Sequence, residues 1–200
     1  MRVLGVDPGL TRCGLGVIEG SLGRPLVLRH VEVVTTKPGV AVEQRLLTLT
    51  CRVRDLIEAT SPDVMAVERM FSQHNLHTVM GTAQASAAAV LAAAEVGIPV
   101  AWHTPTEVKA AVTGTGRAEK AQVAGMVVRI LDLPTRPTPV DATDALALAI
   151  CHVWRGSAND RIARAVATAP RSRIPTRVRG AAETTAVAAP VAAPRRAVIR

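Results

Sequence analysis

Two short apolar runs, each closed by a carboxylate, constrain the fold of this chain more than any other feature. Val3-Leu4-Gly5-Val6 is followed by Asp7, and Val64-Met65-Ala66-Val67 is followed by Glu68. Continuous apolar runs of this length are typical of strands that are covered by helices on both faces of a sheet. Ligands of such folds gather at the carboxyl ends of the strands. We therefore predict that Asp7 and Glu68 share one pocket.

A second acidic pair, Asp141 and Asp144, lies near the start of a later helical segment. The spacing of three places both side chains on one helix face, so they can join Asp7 and Glu68 if this helix packs over the strand ends. Four convergent carboxylates raise one another's pKa, and they must share protons or bind divalent cations. Oxygen donors of this kind suit Mg²⁺ or Mn²⁺. These four residues are the predicted metal ligands.

The rest of the pattern predicts an α/β fold. Residues 2–7, 11–19 and 26–36 form an antiparallel meander, because short Gly-containing turns join them. Two further strands, 63–68 and 98–102, alternate with helical segments. The helices are expected over 42–59 and 76–96, from the capping box at Thr104, over 123–131, and after Thr138-Pro139. The expected architecture is a mixed five-stranded sheet with helices on both faces.

Composition divides the chain near Trp154. Residues 155–200 contain no Leu and no aromatic residue, and they carry ten Arg against Asp160 and Glu183. The formal net charge of +8 therefore lies in this segment, which we predict to be a disordered basic tail after a folded domain of residues 1–154. A basic arm can attract a polyanion through counterion release. Alternatively, the Arg and Ala content reflects only a genome rich in G and C.

The cellular setting is predicted from features that the sequence lacks. The three cysteines, Cys13, Cys51 and Cys151, form no close pair, which favours a reducing compartment over a disulfide framework. No secretion leader opens the chain, and no apolar stretch is long enough to span a bilayer. We expect a cytoplasmic protein with no membrane segment.

Four spaced motifs resemble those of one enzyme family. They are Val6-Asp7-Pro8-Gly9-Leu10, Val67-Glu68, Gly116-Arg117-Ala118-Glu119-Lys120 and Asp141-Ala142-Thr143-Asp144-Ala145-Leu146-Ala147. In this order they resemble the RuvC family of bacterial crossover junction endodeoxyribonucleases, over about residues 1–154. The resemblance implies an RNase H-like fold, a homodimer, and metal-dependent cleavage of Holliday junctions in DNA recombination and repair. Its implied catalytic residues are Asp7, Glu68, Asp141 and Asp144, the set predicted above.

The resemblance also implies DNA contacts. Lys109 and Lys120 match family positions associated with the scissile DNA, so we count both as catalytic and DNA-binding candidates. Phe71 matches an aromatic position near the junction centre, where it could stack on an unpaired base or serve as a packing plug. Arg69 and Arg117 complete the DNA-binding candidates. The family further implies the branch-migration proteins RuvA and RuvB as partners.

A mechanism follows from these charges. Two Mg²⁺ ions about 3.5 to 4 Å apart, for which Mn²⁺ can substitute, would activate a water and stabilise the leaving 3′-oxygen. Asp7 is expected to bridge both ions, and Lys109 or Lys120 to neutralise charge on the phosphate. The products would be a 5′-phosphate and a 3′-hydroxyl. A twofold dimer would present two identical sites to a junction of approximate twofold symmetry.

Two other classes of function stay open at this stage. The segment from Val6 to Gly14 also looks like the first phosphate loop of actin-like sugar kinases and ATPases, although the chain shows no second loop. The other alternative is a junction-binding scaffold that does not cut. A cleavage assay separates the scaffold from the enzyme, and nucleotide binding would favour the kinase.

Overall fold

A computed structural model describes the backbone of residues 1–69 and 76–168, and the side chains of residues 1–69 and 79–156. In the described part of the chain, three strands come first, two helix–strand pairs follow, and three helices come last. The strands are β1 (Arg2–Asp7), β2 (Arg12–Glu19), β3 (Val27–Thr35), β4 (Val64–Glu68) and β5 (Val100–His103). The helices are α1 (Val42–Thr60), α2 (Leu76–Glu95), α3 (Pro105–Thr113), α4 (Lys120–Ile130) and α5 (Val140–Thr168).

The five strands form one mixed sheet in the order β3-β2-β1-β4-β5. β1 pairs antiparallel with β2, and β2 with β3, because short turns join them. β1 pairs parallel with β4, and β4 with β5, because α1 and α2 carry the chain back across the sheet. The predicted mixed five-stranded sheet is confirmed.

Helices cover both faces of the sheet, as predicted. Alternate side chains of β1 enter different cores, with Val3 packing among residues of α3, α4 and α5, and Leu4 among residues of α1 and α2. The same alternation divides Ala66 from Met65 in β4. Because both faces are buried, the strands read as continuous apolar runs. By the same alternation, Asp7 and Glu68 both point toward the face that α5 covers.

Glycines allow α5 to lie directly on β1 and β2. A Cβ atom on Gly5 would collide with the backbone oxygen of Ala145, and one on Gly14 would collide with that of Asp141. The helix backbone therefore occupies the space that side chains would otherwise fill. Since Gly14 pairs with Asp7 across the β1–β2 ladder, the first turn of α5 lies at the carboxyl end of β1.

The ends of two helices can be compared with the boundaries predicted from the sequence. The predicted capping box of α3 is present, with the Glu107 N–H donating to Thr104 Oγ1 at 3.2 Å and the Thr104 N–H donating to the Glu107 carboxylate at 2.7 Å. β5 begins at Val100 rather than at the predicted Ile98, because the Ile98 N–H still bonds to the Ala93 carbonyl at the end of α2.

The division of the chain into domains stays a prediction. Residues 1–167 form one compact unit, and the predicted boundary at residue 154 falls within α5, which extends to Thr168. Residues 169–200, most of the predicted tail, lie outside the described residues. Across the helices that the structure describes, none is long and apolar enough to cross a membrane.

Replacing Gly5 by Ala tests the close packing of α5. The new methyl group meets helix backbone, which cannot rotate away, so we expect the free energy of unfolding to fall by about 3 kcal/mol or more. Gly125→Ala in α4 is the matched control, because nothing lies within 4 Å of its Cβ position, and it should gain up to about 1 kcal/mol. Urea unfolding followed by circular dichroism measures both. Equal stability of the two variants would contradict this packing.

Candidate active site

Asp7 and Glu68 stand side by side at the ends of two parallel strands. The β1–β4 register pairs Val6 with Val67, and each carboxylate is the next residue along. Both side chains are half-buried, and the Asp7 carboxyl hydrogen-bonds to that of Glu68. The two strand ends thus bring together two acids that are far apart in the sequence, as predicted.

Burial and neighbouring charge change the ionisation of this pair. Burial, and after it the charges of Glu68, Asp144 and Asp141, together raise the pKa of Asp7 from 3.8 to about 7. The pKa of Glu68 is also raised, first by burial and then by Asp144. The shared hydrogen bond is therefore one in which Asp7 holds the proton and Glu68 accepts it near neutral pH.

The first turns of α5 supply the second acidic pair. Asp144 accepts a hydrogen bond from Lys120 Nζ at 3.1 Å, and its charge raises the pKa of that lysine. Asp141 lies 3.3 Å from Arg12 Nε, in an ion pair that links α5 to the start of β2. The two carboxylates on α5 thus have cationic partners, whereas Asp7 and Glu68 share a proton.

A cleft of about 110 Å³ joins these groups. Asp7, Glu68 and Asp144 line it together with Lys109 from α3 and Lys120 from α4. The remaining wall is apolar: Pro105, Val108, Val123, Ala147 and Leu148. A low-polarity wall strengthens every charge interaction inside the cleft. Asp141 opens instead onto a neighbouring cleft, on the other side of the turn that follows β1.

The donor set fits a hard divalent cation. Four carboxylates in and beside one cleft offer only oxygen ligands, and burial, followed by the charges of the other three acids, raises the pKa of Asp7. Among the described side chains, no three acidic, histidine or cysteine groups already stand at metal-binding geometry. Arg12, Lys120 and one proton compensate three of the four carboxylate charges in this arrangement, and a bound cation would take over part of that compensation.

Of the residues predicted to contact DNA, some line this cleft and others do not. Lys109 and Lys120 line it, and their contact with DNA stays a prediction. Arg69 and Arg117 are exposed and are not part of its wall. The Arg69 N–H bonds to the His103 carbonyl and continues the pairing of β4 with β5. Phe71 lies outside the described residues, so its assignment stays a prediction.

Sequence reasoning missed two features that build the site. The first is the ion pair of Arg12 with Asp141, for which the sequence carries no spacing signal. The second is the contact of Gly5 and Gly14 with α5. Glycines at alternate positions of one strand, such as Gly14 and Gly16 of β2, were a readable sign of a closely packed helix.

Comparisons with known proteins point to one family. The sequence model of the family described as "Crossover junction endodeoxyribonuclease RuvC" matches residues 3–152. A protein of that name from Streptomyces avermitilis is 60% identical over 167 residues, which cover 84% of this chain and 95% of the relative. Another, from Thermobifida fusca, is 58% identical over 165 residues and covers 82% of this chain and 91% of the relative.

Solved structures agree with the sequence comparison. The structure described as T. thermophilus RuvC in complex with Holliday junction substrate has a TM-score of 0.77 and 36% identity, covering 80% of this chain and 96% of that one. The yeast mitochondrial Holliday junction resolvase Ydc2 has a TM-score of 0.54 at 13% identity, over 82% of this chain and 83% of that one. This second likeness concerns the fold alone, and with the first it confirms the RNase H-like architecture.

Replacing Asp7 by Asn tests how much stability the fold loses when this buried acid ionises. A buried acid with a raised pKa destabilises the fold once it ionises, so the cost grows as the pH rises from about 4 to 7 and is complete above 7. Without metal, we expect Asp7→Asn to be more stable than the unmodified protein at pH 8, by at most about 4 kcal/mol. The difference should shrink toward pH 4.

Thermal unfolding in EDTA at pH 4, 6 and 8 measures this effect. The control is Asp132→Asn at an exposed position, where the difference from the unmodified protein should not vary with pH in the same way. A stability gain for Asp7→Asn that is the same at pH 4 and pH 8 would contradict the raised pKa.

Proposed function

The chain belongs to the RuvC family of crossover junction endodeoxyribonucleases, and from this premise we propose that it resolves Holliday junctions by paired, symmetric, metal-dependent nicks. The family is one of metal-dependent nucleases. The observation that carries the proposal is the convergence of Asp7, Glu68 and Asp144 with Lys109 and Lys120 in one cleft. A scaffold or a kinase fragment would have no need of this combination of buried acids and facing lysines.

The metal ligands of this site would be Asp7, Glu68, Asp141 and Asp144. We infer Mg²⁺, with Mn²⁺ as a substitute, and two ions in each site, because four carboxylates carry more charge than one divalent ion neutralises. When bound, the metal supplies positive charge that lowers the pKa of water and stabilises charge on the phosphate. Cleavage would leave a 5′-phosphate and a 3′-hydroxyl.

The proton on Asp7 makes metal binding dependent on pH. A carboxyl with a pKa of about 7 releases its proton readily at neutral pH, so binding a cation there costs little. At lower pH the proton competes with the cation. The chain itself therefore favours metal loading at and above neutral pH.

The two lysines are positioned to bind the phosphate that reacts. Lys109 is half-buried in the cleft wall, and Lys120 reaches Asp144 from the first residue of α4. A phosphodiester at the mouth of the cleft can accept hydrogen bonds from both ammonium groups, which neutralise the charge that gathers on its oxygens. The apolar side chains of Val108 and Leu148, which also line the cleft, limit access of water to the acids.

We propose that the protein acts as a homodimer through the outer face of α2. Met80, Leu91 and Trp102 are 60%, 61% and 42% exposed, a large amount of apolar surface for one face of a small domain. Ala83, Ala87 and Val90 form a shallow groove beside Trp102. Small residues at such a groove let a second helix approach closely. A twofold dimer places two sites on one junction, as paired nicks require.

Family membership also supports three further proposals. We infer that the protein acts on DNA in the cytoplasm and works with the branch-migration proteins RuvA and RuvB. We also infer that Arg69, Phe71 and Arg117 contact the junction. These assignments rest on the family resemblance, and exposure of Arg69 and Arg117 is compatible with them.

Cleavage of a synthetic mobile four-way junction tests the function. We expect symmetric, ligatable nicks on the junction, absent from a matched linear duplex and lost with EDTA. Asp7→Asn should bind the junction with unchanged affinity and cut it at least about a thousandfold more slowly, because a metal ligand is lost. Asp132→Asn should cut at the normal rate. Binding without cutting in Mg²⁺ and in Mn²⁺ would instead identify a scaffold.

Charge on the outer face of α2 tests the dimer. Leu91→Asp should convert the dimer to monomers in sedimentation velocity and abolish paired nicks, because a buried unpaired carboxylate is costly at an interface. Leu22→Asp, at a similarly exposed residue in the β2–β3 turn, is the control and should leave the dimer intact. A dimer that survives Leu91→Asp unchanged would place the interface elsewhere.

A further inference from the structure

A second cleft lies directly beside the carboxylate site. Its volume is about 550 Å³, and it extends from the turn after β1 to the start of α2. Thr11, Arg12, Arg45, Thr82 and Asp141 supply its polar lining. Asp141 is also one of the four acids of the candidate active site, so the two clefts adjoin. The function proposed above gives this second cleft no role.

Arg45 is the unusual residue of this cleft. It lies in α1, its exposure is only 8%, and within the part of the chain that the structure describes it forms no ion pair. Its Nε donates to Thr36 Oγ1 at 2.8 Å, and its Nη2 donates to Thr11 Oγ1 at 2.9 Å. These neutral hydroxyls satisfy hydrogen bonds but leave the positive charge uncompensated. A buried charge without a counter-ion is costly, so an anion bound beside Arg45 would stabilise this site.

The remaining groups make the cleft favourable for an oxyanion. Arg12 stands at its rim with a 60% exposed side chain, and Asp141 neutralises one of the two guanidinium groups. The cleft therefore carries a net positive charge. Hydroxyl groups of Thr11 and Thr82 line the same space. Guanidinium groups bind phosphate oxygens in a fork, which gives orientation as well as affinity.

We propose that this cleft binds a phosphate of the DNA strand that flanks the scissile phosphate, with Arg45 as its principal ligand. The proposal rests on the nuclease function proposed above and adds a second point of attachment for the same strand. A strand whose scissile phosphate lies in the carboxylate cleft can continue over the turn after β1 into this one. Holding the strand at two phosphates fixes the scissile group against the acids.

Arg45 also connects the bound phosphate to the turn that follows Asp7. Its contact with Thr11 holds the end of that turn, and Thr36 Oγ1, which accepts from Arg45 Nε, donates to the Leu10 carbonyl at 2.5 Å. The same guanidinium that meets the phosphate therefore supports the chain beside the catalytic acid. Arg45 is a binding and positioning residue rather than one that contacts the reacting atoms.

A phosphate scan tests the proposal. A series of four-way junctions, each with one neutral methylphosphonate near the cleavage site, is titrated with the full chain in EDTA. We expect at least a fivefold loss of affinity at one flanking position. Arg45→Gln removes the positive charge, so this variant should bind the unmodified junction more weakly than the unmodified protein does. A methylphosphonate at the sensitive position should then weaken the variant's binding by less than a further twofold. The variant's plot of log affinity against log salt should be shallower by about 0.9.

The controls separate the site from a general charge effect. Arg54→Gln, at an exposed arginine paired with Glu95, should keep the affinity and the sensitive position of the unmodified protein. Arg45→Lys keeps the charge and should restore part of the sensitivity. Equal losses in the Arg45 variant and the unmodified protein at every position would overturn the proposal.

The unmodified protein alone also gives a decisive result. If it binds and cuts the junction but tolerates a methylphosphonate at every flanking phosphate, the second cleft holds no phosphate while the nuclease function stands. If it neither binds nor cuts the junction, the nuclease function itself fails. The two failures are therefore distinguishable without any variant.

Discussion

The close contact of α5 with β1 and β2 is the constraint on which the site depends. Gly5 and Gly14 leave no side chain between the helix and the strands, so the first turn of α5 is held at the carboxyl end of β1. That position brings Asp141 and Asp144 to the pair formed by the β1 and β4 strand ends. Without the glycines, a layer of side chains would separate the helix from the sheet, and the acids of α5 would lie farther from those at the strand ends.

The site is an electrostatic balance that substrate and metal can change. A proton shared by Asp7 and Glu68, the ammonium of Lys120 and the guanidinium of Arg12 compensate the carboxylates in the described arrangement. A divalent cation can take the place of the proton, and a phosphate can attract Lys120. The proton and Lys120 thus correspond to the two binding events that a metal-dependent nuclease needs, and the folded chain already holds the acids together before either occurs.

Much of the fold was predictable, because burial along each element leaves a period in the sequence. The apolar runs before Asp7 and Glu68 gave β1 and β4, and the Thr104 capping box gave the start of α3. Convergence of Asp7, Glu68 and Asp144 followed from the same patterns.

The periodicity of apolar residues says little about contacts between side chains of different elements. The pairing of Arg12 with Asp141, which turns that acid toward a second cleft, and the burial of Arg45 depend on such contacts. Lys109 and Lys120 were found only through the family resemblance.

The central claim is that the four carboxylates form one metal centre. Anomalous diffraction from crystals soaked in Mn²⁺ tests it most directly, because the ion's position is observed without reference to activity. We predict anomalous density bounded by Asp7, Glu68, Asp141 and Asp144, and its loss in a crystal of the Asp7→Asn variant. Well-ordered crystals that bind Mn²⁺ only elsewhere, or bind none at a saturating concentration, would contradict this account of the site.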